Sequence, residues 1–293
     1  MTPTATHRFQ SLRGVRILSL ALNLPGPAAL MRCRQMGASG LKLEPPGGDP
    51  MKQYNQAAYA AMHECIEILT ADLKTELGQQ LLHRELAQSD VLITSFRPSA
   101  LVKLGLTWQA LHQQYPQLSQ IAIVSAPGKR AEEAGHDLTY LAESDLVTGL
   151  DLPATLYADM GGSLMASEAV LQSVMHQRSQ GEGIYLEIAL SSAAGYLALP
   201  RTWGLTRPDA PAGGGHAGYR IYRCRDGRVA LAALEPHFAL RLCTAAGIET
   251  GNMQAMFEPA THKAVAAFLL KQTREQLDAL AVEKDIPLYT LPD

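Results

Sequence analysis

The stretch EEAGHDLTYLAES, residues 132–144, sets His136 and Asp137 directly after a glycine and close before an aromatic. An imidazole titrates near neutrality, so His136 has the chemistry to take a proton and return it. The ordinary alternative is a loop histidine bonded to a carbonyl. Asp137 reads as the cap of a helix starting around Leu138, a structural role. Asp159 stands before Met-Gly-Gly-Ser and a long helical run. Either it or Ser163 reads as that helix's cap. Equally, Gly161 and Gly162 let a ligand approach the backbone, and a helix start there favours an oxyanion or enolate. Glu235 follows the strand-like RVALAAL and precedes Pro236. A cap and a catalytic carboxylate are both usual at such a point, and spacing alone does not choose between them.

These side chains need elements to position them. Short β-rich runs at 15–22, 40–46, 65–73, 91–96, 118–126 and 184–190 alternate with helical runs at 27–36, 76–90, 106–116 and 164–178. That alternation predicts an α/β fold with an open parallel sheet and flanking helices, a Rossmann-like large domain over 1–199. Strands as apolar as IAIV suit burial on both faces. Ligands are then expected beyond the carboxyl ends of the strands. From about residue 200 the texture changes. RPDAPAGGGHAG (207–218) reads as a hinge, and YRIYRCRDGRVALAAL as a hairpin turning on Asp226-Gly227. A small α+β domain is expected over 200–265, with 266–293 returning toward the large domain.

Several chemistries lose ground on motif alone. LPGPAAL stands where a G-x-G-x-x-G fingerprint would follow the first strand, against a nicotinamide or flavin enzyme. There is no G-x-S-x-G elbow and no H-E-x-x-H. Cys33, Cys65, Cys224 and Cys243 form no C-x-x-C pair, so no zinc site or redox dithiol is expected. Scattered thiols suit a reducing cytoplasm. The 293 residues are 47% hydrophobic and 18% charged with net charge −3, which gives no electrostatic reason to expect nucleic acid. No apolar run has membrane-spanning length, and the first fourteen residues lack the apolar stretch of a secretory signal.

Six ordered stretches together resemble the class III CoA-transferase family, which includes the 2-methylacyl-CoA racemases. They are residues 12–50 (ending GLKLEPPGGDP), 72–106 (with DLK and FRP), GHDLTYLA (135–142), ADMGGSLMASEAVL (158–171), GEGIYLEIAL (181–190) and YRCRDGRVALAALEPHF (222–238). In the transferases an aspartate resembling Asp159 carries the acyl group as a mixed anhydride. The racemases have Gly-His-Asp where this chain has 135–137, and a glutamate resembling Glu235. The resemblance therefore implies an acyl-CoA racemase or epimerase. His136 and Asp159 would exchange the α-proton on opposite faces, and Glu235 would orient His136. Amides near Gly161 and Gly162 would stabilise the enolate, and Arg97 would meet the CoA phosphates. It also implies an interlocked homodimer, a shortened family member, and no cofactor beyond the CoA carried by the substrate. A CoA-transferase acylated on Asp159 is the alternative. A non-catalytic binding or assembly subunit is the third reading, supported by the acidic HECIE (63–67) where the family is basic.

Overall fold

The computed structural model describes residues 9–249 and 252–293. Residues 1–8, part of the stretch searched for a secretory signal, lie outside the described residues. Two compact units divide the chain, Met1–Ala198 and Leu199–Asp293.

In the first unit, apolar residues on both sides of short strands decide the architecture. Strands β1 (Arg16–Ser19), β2 (Ser39–Glu44), β3 (Glu67–Thr70), β4 (Val91–Thr94), β5 (Ser119–Val124) and β6 (Tyr185–Ala189) form one parallel sheet. Its order is β3-β2-β1-β4-β5-β6, the doubly wound arrangement whose winding reverses between β1 and β4. All of β4 and β5 is buried, as a sheet covered on both faces requires. Because side chains alternate along a strand, Ile17 and Ile93 enter one core while Leu18 and Leu92 enter the other.

Nine helices flank this sheet among the described residues: α1 (Pro25–Gln35), α2 (Met51–Tyr54), α3 (Gln56–Met62), α4 (Glu76–Leu86), α5 (Pro98–Lys103), α6 (Trp108–Gln114), α7 (Asp137–Glu143), α8 (Tyr157–Gln180) and α9 (Leu190–Leu197). The first core joins α1, α7, α8 and α9; the second joins α4, α5 and α6. Helix α8 begins at Tyr157, earlier than the run at 164–178 suggests, which places Asp159 inside its first turn. Pro25 and Pro27 open α1, where a missing N–H costs no helical bond.

The second unit carries α10 (Leu199–Thr202), β7 (Tyr219–Cys224), β8 (Gly227–Ala232), α11 (Pro236–Ala246), α12 (Pro259–Leu270), α13 (Arg274–Lys284) and β9 (Leu288–Leu291). The three strands form an antiparallel sheet in the order β7-β8-β9. Three expectations are corrected here. Residues 266–293 do not leave this unit: β9 pairs with β8, and Leu277 and Ile286 fill the same core as Val229. The hairpin turns one residue earlier, on Arg225 and Asp226, because Cys224 pairs with Gly227. The stretch 207–218, expected as a hinge, lies inside the second unit, and only 216–218 of it are buried. It contains a tight turn at Pro211–Gly213, and His216 is buried with Nδ1 accepting the Gly218 N–H at 3.0 Å.

One polar cluster lies within the first unit. Lys42 on β2 is fully buried, and its Nζ pairs with Asp49, lies 3.1 Å from Glu44 Oε1 and meets His63 Nε2 at 2.9 Å. Glu44, Asp49 and His63 offer ligand atoms within 4.8 Å of one another, as a metal would need. The Lys42 ammonium already occupies the cation's place among them. His63 Nδ1 lies 2.7 Å from the Tyr59 carbonyl and donates to it, so Nε2 is left to accept from Lys42. Burial, with Lys42 adding to it, pushes the His63 imidazole below its ordinary range. Asp49 Oδ1 meanwhile accepts the N–H groups of Asn23 at 3.0 Å and Met51 at 2.9 Å, tying the loop after β1 to the start of α2. Replacing Lys42 by Met leaves two buried carboxylates without their cation. Urea unfolding is expected to show a loss of ~3–5 kcal/mol; a loss under ~1 kcal/mol would mean the cluster is solvated rather than closed.

Candidate active site

A cleft of about 670 Å³ opens where the winding reverses, beyond the carboxyl ends of β1, β4 and β5. Its lining comes from loops and helix starts. Asn23, Leu24 and Pro25 follow β1; Ser95, Phe96 and Arg97 follow β4; Val124 and Ser125 end β5. The starts of α7 and α8 close one side with His136, Asp137, Leu138 and Asp159. Mostly apolar walls with a few converging polar groups suit an organic ligand.

His136 is the N-cap residue of α7, extended and exposed. Its backbone is held firmly: the N–H donates to Thr139 Oγ1 at 3.0 Å, and its carbonyl accepts the Thr139 N–H at 2.8 Å. Gly135 before it is required by packing. A Cβ there would meet the Tyr140 ring at 2.5 Å, and Tyr140 is buried one turn into α7. The Gly-His-Asp triplet is thus a tight entry that turns His136 outward while its helix packs inward.

Asp159 lies in the first turn of α8, partly buried, and its N–H donates to Asp137 Oδ1 at 3.0 Å. Burial first, then the charge of Asp137, pushes the Asp159 carboxyl up to about 6; His136 acts in the opposite sense. Tyr140 feels the same neighbourhood. Burial and then the Asp159 charge raise its phenol above the usual range, against a hydrogen bond with Ser125. The arrangement can hold and move protons: an imidazole and a carboxyl of raised basicity face one cavity.

The structure brings together His136, Asp159 and Arg97, the last exposed at the N-cap of α5. The remaining sequence candidates, Gly161, Gly162 and Glu235, are not among the lining residues. Gly161 and Gly162 lie past the first turn of α8, where their N–H groups bond back to the helix. The first helical bond, Met160 N–H to the Leu156 carbonyl, already precedes them. Their small size serves packing instead, since a Cβ on Gly162 would stand 2.3 Å from Leu190 Cδ2, and one on Gly161 3.1 Å from Leu197 Cδ1. Glu235 belongs to the second unit, exposed at the N-cap of α11, and is not among the lining residues. Two lining residues have no role in the sequence reading beyond a cap and an aromatic neighbour, Asp137 and Tyr140. The spacing H-D-x-x-Y, which puts both side chains on one side of a helix start, is the signal that carries them.

The sheet is doubly wound, and His136 and Asp159 line one cleft at its switch point. The comparisons name the family. Residues 12–291 match the model of CoA-transferase family III, and the chain belongs to that family. It is similar to human "Alpha-methylacyl-CoA racemase", 28% identical over 83% of this chain and 66% of that one. It is also similar to "Succinyl-CoA--D-citramalate CoA-transferase" of Chloroflexus aurantiacus, 29% identical over 95% of this chain and 78% of the other. A solved CAIB/BAIF family protein from Brucella suis shares the fold, with TM-score 0.81 and 23% identity over 96% of this chain and 84% of its own. No helix among the described residues is long and apolar enough to cross a membrane.

The raised Asp159 pKa has a consequence for stability with a fixed sign. A carboxyl whose folded pKa lies above its unfolded value favours folding below the unfolded value, and that contribution is lost as pH rises through the folded one. Asp159→Asn is therefore expected to raise the urea midpoint above pH 6 and to leave it unchanged below about 4. The gain is on the order of 1–3 kcal/mol. Equal midpoints at pH 7.5 would show that Asp159 ionises there without cost.

Proposed function

We propose that the protein is an acyl-CoA racemase or epimerase, which inverts the α-carbon of a 2-methyl-branched acyl-CoA thioester. The observation that carries this reading is the presence of His136 and Asp159 on one cleft. Inversion next to a thioester carbonyl removes a weakly acidic proton from one face and delivers another to the opposite face. It needs two groups that exchange protons near neutral pH, and Asp159, pushed up to about 6, is suited to one of these roles. His136 serves the other. The carbonyl of the thioester provides the acidity, so the chemistry calls for no metal or redox cofactor.

Arg97, at the mouth, is assigned to the CoA phosphates. Glu235 is assigned to orienting His136, from either copy of a homodimer, and the cytoplasm is the compartment that the reading expects. A second reading is a class III CoA-transferase in which Asp159 accepts the acyl group, favoured by the likeness to the Chloroflexus enzyme. It needs Asp159 as an ionised nucleophile, and burial beside Asp137 works against that form. The third reading, a non-catalytic binding or assembly subunit, needs neither group. Its support is the acidic segment 63–67, whose Glu64 and Glu67 are exposed while His63 turns inward to Lys42.

Incubation of wild type with a 2-methylacyl-CoA in deuterated water is expected to give α-deuterium uptake without any second acid. His136→Ala and Asp159→Asn each slow it by ~10²–10⁴-fold. Acyl exchange that depends on an added carboxylic acid, with no deuterium uptake, would establish the transferase instead; neither activity would leave the binding subunit. Arg97→Gln is expected to raise KM by roughly tenfold with kcat little changed, the pattern of lost phosphate binding.

A further inference from the structure

Asp137 is only 4% exposed, yet it follows the exposed His136 directly and heads α7. Its Oδ1 accepts the backbone N–H of Asp159 at 3.0 Å, so one bond joins the starts of the two helices that carry the acid/base pair. Helix α8 has no cap of its own, since its N-cap residue is Leu156 and offers no side-chain acceptor. Asp137 therefore caps α8 across the fold, from a residue twenty-two positions earlier in the chain. A carboxylate in that place also has the sign that a helix start favours.

We propose that Asp137 is a positioning residue for Asp159: its buried carboxylate locks the Asp159 backbone to the start of α7 and fixes a negative charge beside the Asp159 carboxyl. The charge works with burial to hold the Asp159 carboxyl near 6, and His136 works against both. The other titratable groups on the cleft are Tyr140 on α7, Tyr54 on α2, and Arg97 and Glu133 on the loops before α5 and α7. Helices α1 and α9 and strand β5 contribute only uncharged side chains to the lining. Among the described residues, Asp137 is the carboxylate bonded to the Asp159 backbone, and it acts through Asp159. Only its kinetic consequence rests on the racemase reading; its placement does not.

The test separates charge from anchoring. Asp137→Asn keeps an oxygen that can accept the Asp159 N–H and removes the negative charge. With ¹³C-labelled aspartate, the titration midpoint of Asp159 is expected to fall from about 6 by roughly one unit or more. The matching limb of the α-deuterium exchange profile moves to lower pH by the same amount. Asp137→Ala loses the acceptor too, and its exchange is expected to be slow at every pH, a loss that the Asn variant largely rescues. An Asp159 midpoint in Asp137→Asn that coincides with wild type overturns the proposal. If Asp137→Asn does not fold, Asp137→Ser, an uncharged acceptor, is titrated in its place and decides in the same way. A wild type without α-exchange would defeat the proposed reaction, and the titration alone would still decide the role of Asp137.

Discussion

One charge-assisted hydrogen bond, from the Asp159 N–H to Asp137, ties the site together. His136 and Asp159 are far apart along the chain, and each sits at the start of a helix whose far end packs into the first core. Two helices packed on one sheet can slide or rotate by an ångström at modest cost unless something fixes their ends. Proton transfer tolerates little of that, because donor and acceptor must approach hydrogen-bond distance of the same atom. A buried carboxylate bonded to a backbone amide is a stiff joint: breaking it strands a charge away from water. The relative placement of His136 and Asp159 is thus set by main chain and packing.

The opposite wall of the cleft is held by a comparable device. Asp49 accepts backbone N–H groups from Asn23 and Met51, both lining residues, while its other oxygen pairs with the buried Lys42. Asn23 adopts a left-handed conformation, φ 65°, which glycine, asparagine and aspartate take most readily. An ion pair inside a protein adds little net stability for the charge it hides. Its gain here is definition: two loops that follow different strands are given a single arrangement. Both walls therefore rely on carboxylates that bind backbone amides, and neither of those carboxylates belongs to the acid/base pair.

How much of this was legible in the sequence follows from the range of each interaction. The parallel sheet is legible because VLI and IAIV are unbroken apolar runs, as strands buried on both faces demand. The α8 start is not, since DLPATLYADM has no capping residue at Leu156; the cap comes from Asp137, and no local pattern reveals a partner that distant. For the same reason Gly161 and Gly162 read as a ligand platform, although they serve contacts with Leu197 and Leu190 on α9. The burial of Lys42 depends on Asp49, Glu44 and His63 folding over it, and no local pattern displays that partnership. The strand at Leu288–Leu291 is short, and its place in the small sheet is settled by pairing with β8 alone. His136, Asp159 and Arg97 were visible through their order along a family pattern; their shared cleft is a property of the switch point.

The first turn of α1 explains why this cleft differs from a dinucleotide site built on the same strand order. In such a site the pyrophosphate rests on free amides at the start of the first helix. Here Pro25 and Pro27 occupy that first turn and supply no N–H, so the start of α1 has lost two of its donors. The same loop instead presents Leu24 and Pro25, apolar surface, to the cavity. The polar chemistry has moved across the crevice to α7 and α8, on the side of β5. The lining therefore combines apolar Leu24 and Pro25 after β1, Arg97 after β4, and His136, Asp137, Tyr140 and Asp159 from α7 and α8, with Tyr54 of α2 on the opposite wall. Apolar lining on one side, with His136 and Asp159 on the other, can desolvate an organic ligand and still exchange protons with it.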